Sequence, residues 1–262
     1  MLVARNIHVS LGTSRVLDGL SLSALPGQIT CIVGPNGSGK TTSLRAITGD
    51  VPYTGQITLG GKDIATLKPR ELAALRGVLP QASTLAFPFT VNEVVQIGLH
   101  HGTSGDHDGI TRAALRRVDL LKYADRPYQD LSGGEQQRVQ LARVLAQVWE
   151  PVVDRTPRWL FLDEPVSSLD IAHQLQVMRI ARDFAGAGGG VVAVMHDLNL
   201  TAMFADRVIL LAGGACLATG SPAEVMTSPL LSRAYGCDLQ VGRTPPPGTP
   251  FLLPHLAALA AE

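Results

Sequence analysis

A glycine-rich loop ending in a lysine and a hydroxyl is chemistry for holding phosphate. Gly34-Pro35-Asn36-Gly37-Ser38-Gly39-Lys40-Thr41 fits the spacing G-x-x-x-x-G-K-[ST]. In such a loop the backbone N–H groups converge on the β- and γ-phosphates, and the start of the following helix adds partial positive charge. The Lys40 ammonium neutralises, and the Thr41 hydroxyl ligates magnesium. Further on, Asp163 and Glu164 follow the apolar run Trp159-Leu160-Phe161-Leu162. One carboxylate suits a metal and two suit hydrolysis. Asp163 would hold the magnesium shell, directly or through water, and Glu164 would polarise the attacking water as general base. An acidic pair after a strand is, taken alone, equally a solvated turn; beside a phosphate loop it reads as the hydrolytic half of a site.

Leu131-Ser132-Gly133-Gly134-Glu135-Gln136-Gln137-Arg138 adds a second candidate. A Ser-Gly-Gly turn opening a helical stretch makes another anion-binding helix start in the same chain. Ser132 is also a ready N-cap with Glu135 at the capping-box position, a local role that does not compete with phosphate binding.

These groups need elements to position them. Gln28 to Val33 is a short β-rich run that stops at the glycine loop, and Lys40 to Thr48 has helical spacing, so the order is strand, loop, helix. Trp159 to Leu162, Val191 to Met195 and Arg207 to Leu211 are near-continuously apolar, as parallel strands covered on both faces are. Ligands of open α/β sheets bind at the carboxyl edge of such strands. From about Phe89 to Val148 the pattern turns helical (Val91 to Leu99, Arg112 to Leu121, Glu135 to Val148) and reads as an insertion. Ile7 to Ser10, Leu20 to Ser23 and Gly55 to Leu59 alternate apolar and polar residues, predicting antiparallel strands beside the parallel sheet. The tail from Thr244 is proline-rich, then weakly helical and Ala/Leu-rich, and carries no chemistry.

The 262 residues suffice for one well-buried core with an embedded subdomain. Lys plus Arg and Asp plus Glu number 22 each, so the net charge of zero offers no electrostatic reason to expect nucleic acid. No apolar run approaches a bilayer span and no secretory signal opens the chain, which predicts a cytosolic protein. Cys31, Cys216 and Cys237 fit neither a disulfide framework nor zinc spacing and read as small buried apolar residues.

With these motifs in hand the sequence resembles the ATP-binding subunit of ABC transporters, over nearly the whole chain up to about Gly236. Gly34 to Thr41, with Thr42 beside it, looks like the family's Walker A loop and Gln81 like its Q-loop. Leu131 to Gln136 looks like its signature motif, Leu160 to Glu164 like its Walker B, Ser167 to Asp170 like its D-loop, and His196 like its switch histidine. The fold so implied is α/β: a P-loop NTPase (RecA-like) core with an antiparallel β subdomain and a helical subdomain inserted at about 89–148. The ATPase domain would span 1–243 and the tail 244–262.

The resemblance also implies ATP and Mg2+, and a head-to-tail homodimer. In it, ATP on one copy's Walker A loop is closed by Ser132, Gly133, Gly134 and Glu135 of the other, with Asp170 contributing. His196 would donate to the γ-phosphate, and Gln81 would sense magnesium and the water while linking to the membrane partner. Two permease subunits and, indirectly, a periplasmic binding protein complete the assembly, placing the chain peripherally on the cytoplasmic face of the inner membrane. One position departs from the family: Leu11 stands where an aromatic residue usually stacks on adenine, so modest discrimination among nucleotides is expected.

Cargo can be inferred only through subfamily likeness. Val91 to Gly98 and Met195 to Leu200 look like importers of chelated iron, haem and cobalamin. The long join Ala146 to Arg158, with Leu169 to Gln174, is similar to haemin importers, so haem is expected ahead of ferric siderophore or cobalamin. His100, His101 and His107 lie in a glycine-rich connection and are read as solvated rather than haem-binding. A nucleic-acid-associated ABC ATPase is disfavoured by the single cassette without sustained heptads, and a degenerate scaffold by the presence of Glu164 and the signature glycines.

Overall fold

The computed structural model describes residues 1–82, 87–99 and 107–254. The amino-terminal part forms β1 (Leu2–Leu11), β2 (Ser14–Ala24) and, after the first parallel strand β3 (Ile29–Val33) and helix α1 (Lys40–Ile47), β4 (Thr54–Leu59) and β5 (Lys62–Asp63). These strands, other than β3, make an antiparallel sheet in the order β2-β1-β4-β5. Then come α2 (Pro69–Leu75), β6 (Arg76–Leu79), α3 (Val91–Leu99), α4 (His107–Arg117), α5 (Gly133–Gln147), and a two-stranded hairpin of β7 (Val152–Val153) and β8 (Thr156–Pro157). The chain closes with β9 (Trp159–Asp163), α6 (Ile171–Gly186), β10 (Gly190–Val194), α7 (Leu198–Phe204), β11 (Arg207–Ala212), β12 (Ala215–Gly220), α8 (Pro222–Val225) and α9 (Ser228–Tyr235).

The second sheet runs β12-β11-β3-β10-β9-β6, parallel except for β12. Each residue of β3, β9 and β10 is buried, which is why these runs carry no polar face. Alternate side chains serve two cores. Ile29, Cys31, Leu160, Leu162, Val191 and Ala193 face the helical side with α3, α5 and α6. Ile32, Phe161, Val192 and Val194 meet α1 and the antiparallel sheet. The register decides where the chemistry lands. Val194 pairs with Ile32 on one side and Asp163 on the other, so the loop after β3, the carboxylates ending β9 and the segment after β10 emerge at one edge.

Several expectations shift. The helix expected at Arg112–Leu121 begins at His107 and stops at Arg117. Asp119 takes the left-handed conformation (φ 55°) and Leu120 N–H donates back to Leu115, an ending usually signalled by glycine. Neither β6 nor the β7–β8 hairpin was expected, both being too short for periodicity to register. Of the cysteines only Cys31 is buried; Cys216 is half-buried and Cys237 exposed, which corrects the reading of all three as core residues. His107 is exposed at the start of α4, whereas His100 and His101 lie outside the described residues, as does the stretch 255–262 expected to be weakly helical. Among the described residues no helix is long and apolar enough to cross a membrane.

Candidate active site

The loop between β3 and α1 wraps a cavity of about 200 Å³ lined by Val16, Asn36, Gly37, Gly39, Lys40, Thr41, Thr42, Glu164 and His196. Two glycines have steric reasons to be there. A Cβ on Gly34 would collide with the Leu211 carbonyl, and one on Gly39 with the Leu17 side chain, while both residues adopt positive φ. Lys40, 6% exposed, donates to the carbonyls of Gly34 (2.9 Å) and Pro35 (3.0 Å). Burial pulls its ammonium below the ordinary lysine value, opposed by the charges of Glu164 and Asp163. The Ser38 hydroxyl is buried with no hydrogen-bond partner among the described residues, an unmet donor inside a loop shaped for oxygen anions.

Asp163 ends β9, 4% exposed, and its Oδ1 accepts from the Thr41 hydroxyl at 3.1 Å. Burial raises its carboxyl above the usual aspartate range; the Thr41 hydrogen bond works against that shift and Glu164 with it. A hydroxyl and a carboxylate side by side, with no nitrogen or sulfur donor, form an all-oxygen pair suited to magnesium.

Glu164 has both carboxylate oxygens engaged. Oε1 lies 2.6 Å from His196 Nε2, and Oε2 accepts from Gln81 Nε2 at 2.9 Å. Its backbone is left-handed (φ 52°), its N–H donates to the Val194 carbonyl at 3.1 Å, and its own carbonyl accepts from Gln137 Nε2 at 3.1 Å. Gln81 therefore reaches the cavity through Glu164, two residues beyond the end of β6.

The second helix start is built as expected locally. Ser132 caps α5: its Oγ accepts from Glu135 N–H, while the Glu135 carboxylate accepts from Ser132 N–H and Oγ, both at 2.8 Å. Those bonds hold the Glu135 carboxyl below its usual range. Asp170 caps α6, accepting from His173 N–H and pairing with its Nδ1 at 2.8 Å. None of Ser132, Gly133, Gly134, Glu135 or Asp170 lines the phosphate-loop cavity. Gly133 instead borders a separate cavity with Gln81, Gln137 and Ser168, and a Cβ on Gly134 would press on the Ser168 carbonyl. Leu11 ends β1 and is 47% exposed; the apolar wall of the phosphate-loop cavity is Val16, a residue the sequence reading did not single out.

The pattern of one family, described as ABC transporter, matches residues 17–167, more than half of the chain. The chain belongs to the ABC transporter family. Among its relatives in that family, the hemin import ATP-binding protein HmuV of Jannaschia sp. is 65% identical over 257 residues, 98% of this chain and 95% of that one. The protein of the same name from Roseobacter denitrificans is 61% identical over 254 residues, 97% of each chain. Among solved ABC structures, a dimeric post-hydrolysis ATP-binding cassette bound to ADP and Pi is 26% identical with a TM-score of 0.74, covering 85% of this chain and 99% of that one.

Proposed function

We propose that the chain is the ATP-hydrolysing subunit of an importer carrying haemin across the cytoplasmic membrane. The observation that carries the ATPase reading is the Glu164 carboxylate, clamped between Gln81 and His196 at the lip of the phosphate loop. The cargo is supported by near full-length likeness to proteins named for hemin import.

In this reading the loop from Gly34 to Thr42 holds ATP, with its backbone N–H groups on the phosphates and Lys40 exchanging carbonyl partners for phosphate oxygens. Thr41 and Asp163, with Gln81 nearby, would hold Mg2+, which supplies charge neutralisation of the phosphates. Glu164 takes the proton of the attacking water. Because His196 occupies one of its oxygens, the γ-phosphate must draw the imidazole away for that oxygen to serve as base; the same histidine then donates to the phosphate. Ser132, Gly133, Gly134, Glu135 and Asp170 would act on the nucleotide of a second copy, in keeping with their not lining this chain's own cavity. Residues 1–243 form the ATPase unit, including the helical part at about 89–148, and 244–262 lie outside it. Two permease subunits would carry the cargo, a periplasmic haem-binding protein would deliver it, and this subunit would sit on the cytoplasmic face.

Purifying the chain with its membrane partners, reconstituting them in liposomes and measuring ATP hydrolysis tests the proposal. Hydrolysis stimulated by haemin with its binding protein supports it; stimulation by a ferric siderophore or cobalamin alone overturns the cargo.

A further inference from the structure

Glu164 sits in a left-handed conformation (φ 52°) that is unfavourable for a non-glycine residue unless its surroundings hold it. Its N–H is tied to β10 through the Val194 carbonyl, and its carbonyl accepts from Ser167 N–H (3.3 Å), Ser167 Oγ (3.2 Å) and Gln137 Nε2 (3.1 Å). Ser167 is part of the same turn. Gln137 is not: it belongs to α5, 27 residues earlier, and lies four residues after Gly133, on the helix face that carries the Ser-Gly-Gly end. On that face Gly134 abuts the Ser168 carbonyl. The Gln137 Oε1 atom is buried without a hydrogen-bond partner among the described residues, so the amide is kept in place through its donor. At the far end of α5, Gln147 donates to the carbonyls of Ala73 (2.8 Å) and Arg76 (2.9 Å). The helix is thus tied to the core at both ends, and the tie at its amino end is to the residue that handles the water.

We propose that Gln137 is a positioning residue: it holds the Glu164 backbone in its left-handed conformation and thereby makes hydrolysis at one nucleotide respond to contact of Ser132 and Gly134 with the other. The inference rests on the reading of Glu164 as base and of the sites as shared by two copies. One hydrogen bond spans the gap between the helix that grips the partner's nucleotide and the carboxylate acting on this chain's own. When α5 shifts, Glu164 shifts with it.

The test compares steady-state ATP hydrolysis by the full-length chain with that of Gln137→Met, which keeps shape without a donor, and Gln137→Glu, which keeps shape and polarity without a donor. Both are expected to lower kcat about ten- to hundredfold, the effect of a small misplacement of a reacting group. The KM for ATP and the affinity of a fluorescent ATP analogue stay unchanged, and the Hill coefficient falls toward one. If Gln137→Met fails to melt cooperatively, the Glu variant decides. Parental kcat and Hill coefficient overturn the proposal, as does a raised KM at parental kcat, which would mean a distorted nucleotide cavity. Glu164→Gln is assayed alongside. Parental hydrolysis there removes the base assignment, whereas loss of hydrolysis there with parental behaviour of the Gln137 variants removes only the role of Gln137.

Discussion

The imidazole of His196 and the carboxylate of Glu164 meet at 2.6 Å, although 32 residues separate them, because β9 and β10 are neighbours in parallel register. In the proposed mechanism the pair couples recognition of the terminal phosphate to release of the base. Glu164→Gln is expected to bind ATP and accumulate a closed dimer while hydrolysis falls by orders of magnitude. Single-turnover hydrolysis with size analysis checks this; a parental rate contradicts it. His196→Ala should also abolish turnover despite freeing a Glu164 oxygen, since its donor to the phosphate is lost.

Lys40→Ala should remove most affinity for triphosphate, measured by equilibrium binding of a fluorescent analogue. Adenosine, which has no phosphates, is the control and should be unaffected.

Ser132→Arg is expected to leave nucleotide binding by a single copy intact and to block ATP-dependent dimer closure, read by analytical ultracentrifugation. Ser132→Ala separates the local role from the distant one: loss of the cap should cost about 0.5–2 kcal/mol of stability. A closed dimer of the arginine variant would contradict the shared site.

Asp163 predicts a stability effect with a definite sign. Its folded pKa is raised by burial, so the folded chain binds this proton more tightly than the unfolded one. Its contribution is therefore favourable below the unfolded pKa of about 3.9 and lost as pH rises through the folded value. Asp163→Asn should raise the Tm of the nucleotide-free chain at pH 7, because the neutral amide escapes the cost of a buried charge, while magnesium-dependent hydrolysis collapses. Calorimetry across pH 4–8 checks it: a lowered Tm at neutral pH contradicts the sign.

Base selectivity should be weak. Leu11 is exposed at the end of β1 and the cavity wall is the aliphatic Val16, which gives apolar contact without ring stacking. Competition assays should give less than hundredfold preference for ATP over GTP; a larger preference contradicts this.

Much of this was legible in the sequence where burial leaves a plain signature. β3, β9 and β10 are buried on both faces, so their apolar runs and the loops at their carboxyl ends could be read directly. The four residues of β6 alternate between half-buried and buried at a sheet edge, too few to register as a period. The β7–β8 turn uses Asp154 and Arg155 at positive φ, where glycine or asparagine would have signalled it. Gln137 was hidden for another reason. It is one of four polar residues in a row after Gly134, and only the tertiary approach of α5 to the end of β9 distinguishes it.

The lysine of the phosphate loop donates to two carbonyls of that same loop. An arriving triphosphate gains only the difference between those contacts and its own, which limits how tightly any phosphate can be kept. For a subunit that must discharge ADP and phosphate every cycle, that self-binding works as a built-in competitor and favours turnover over retention.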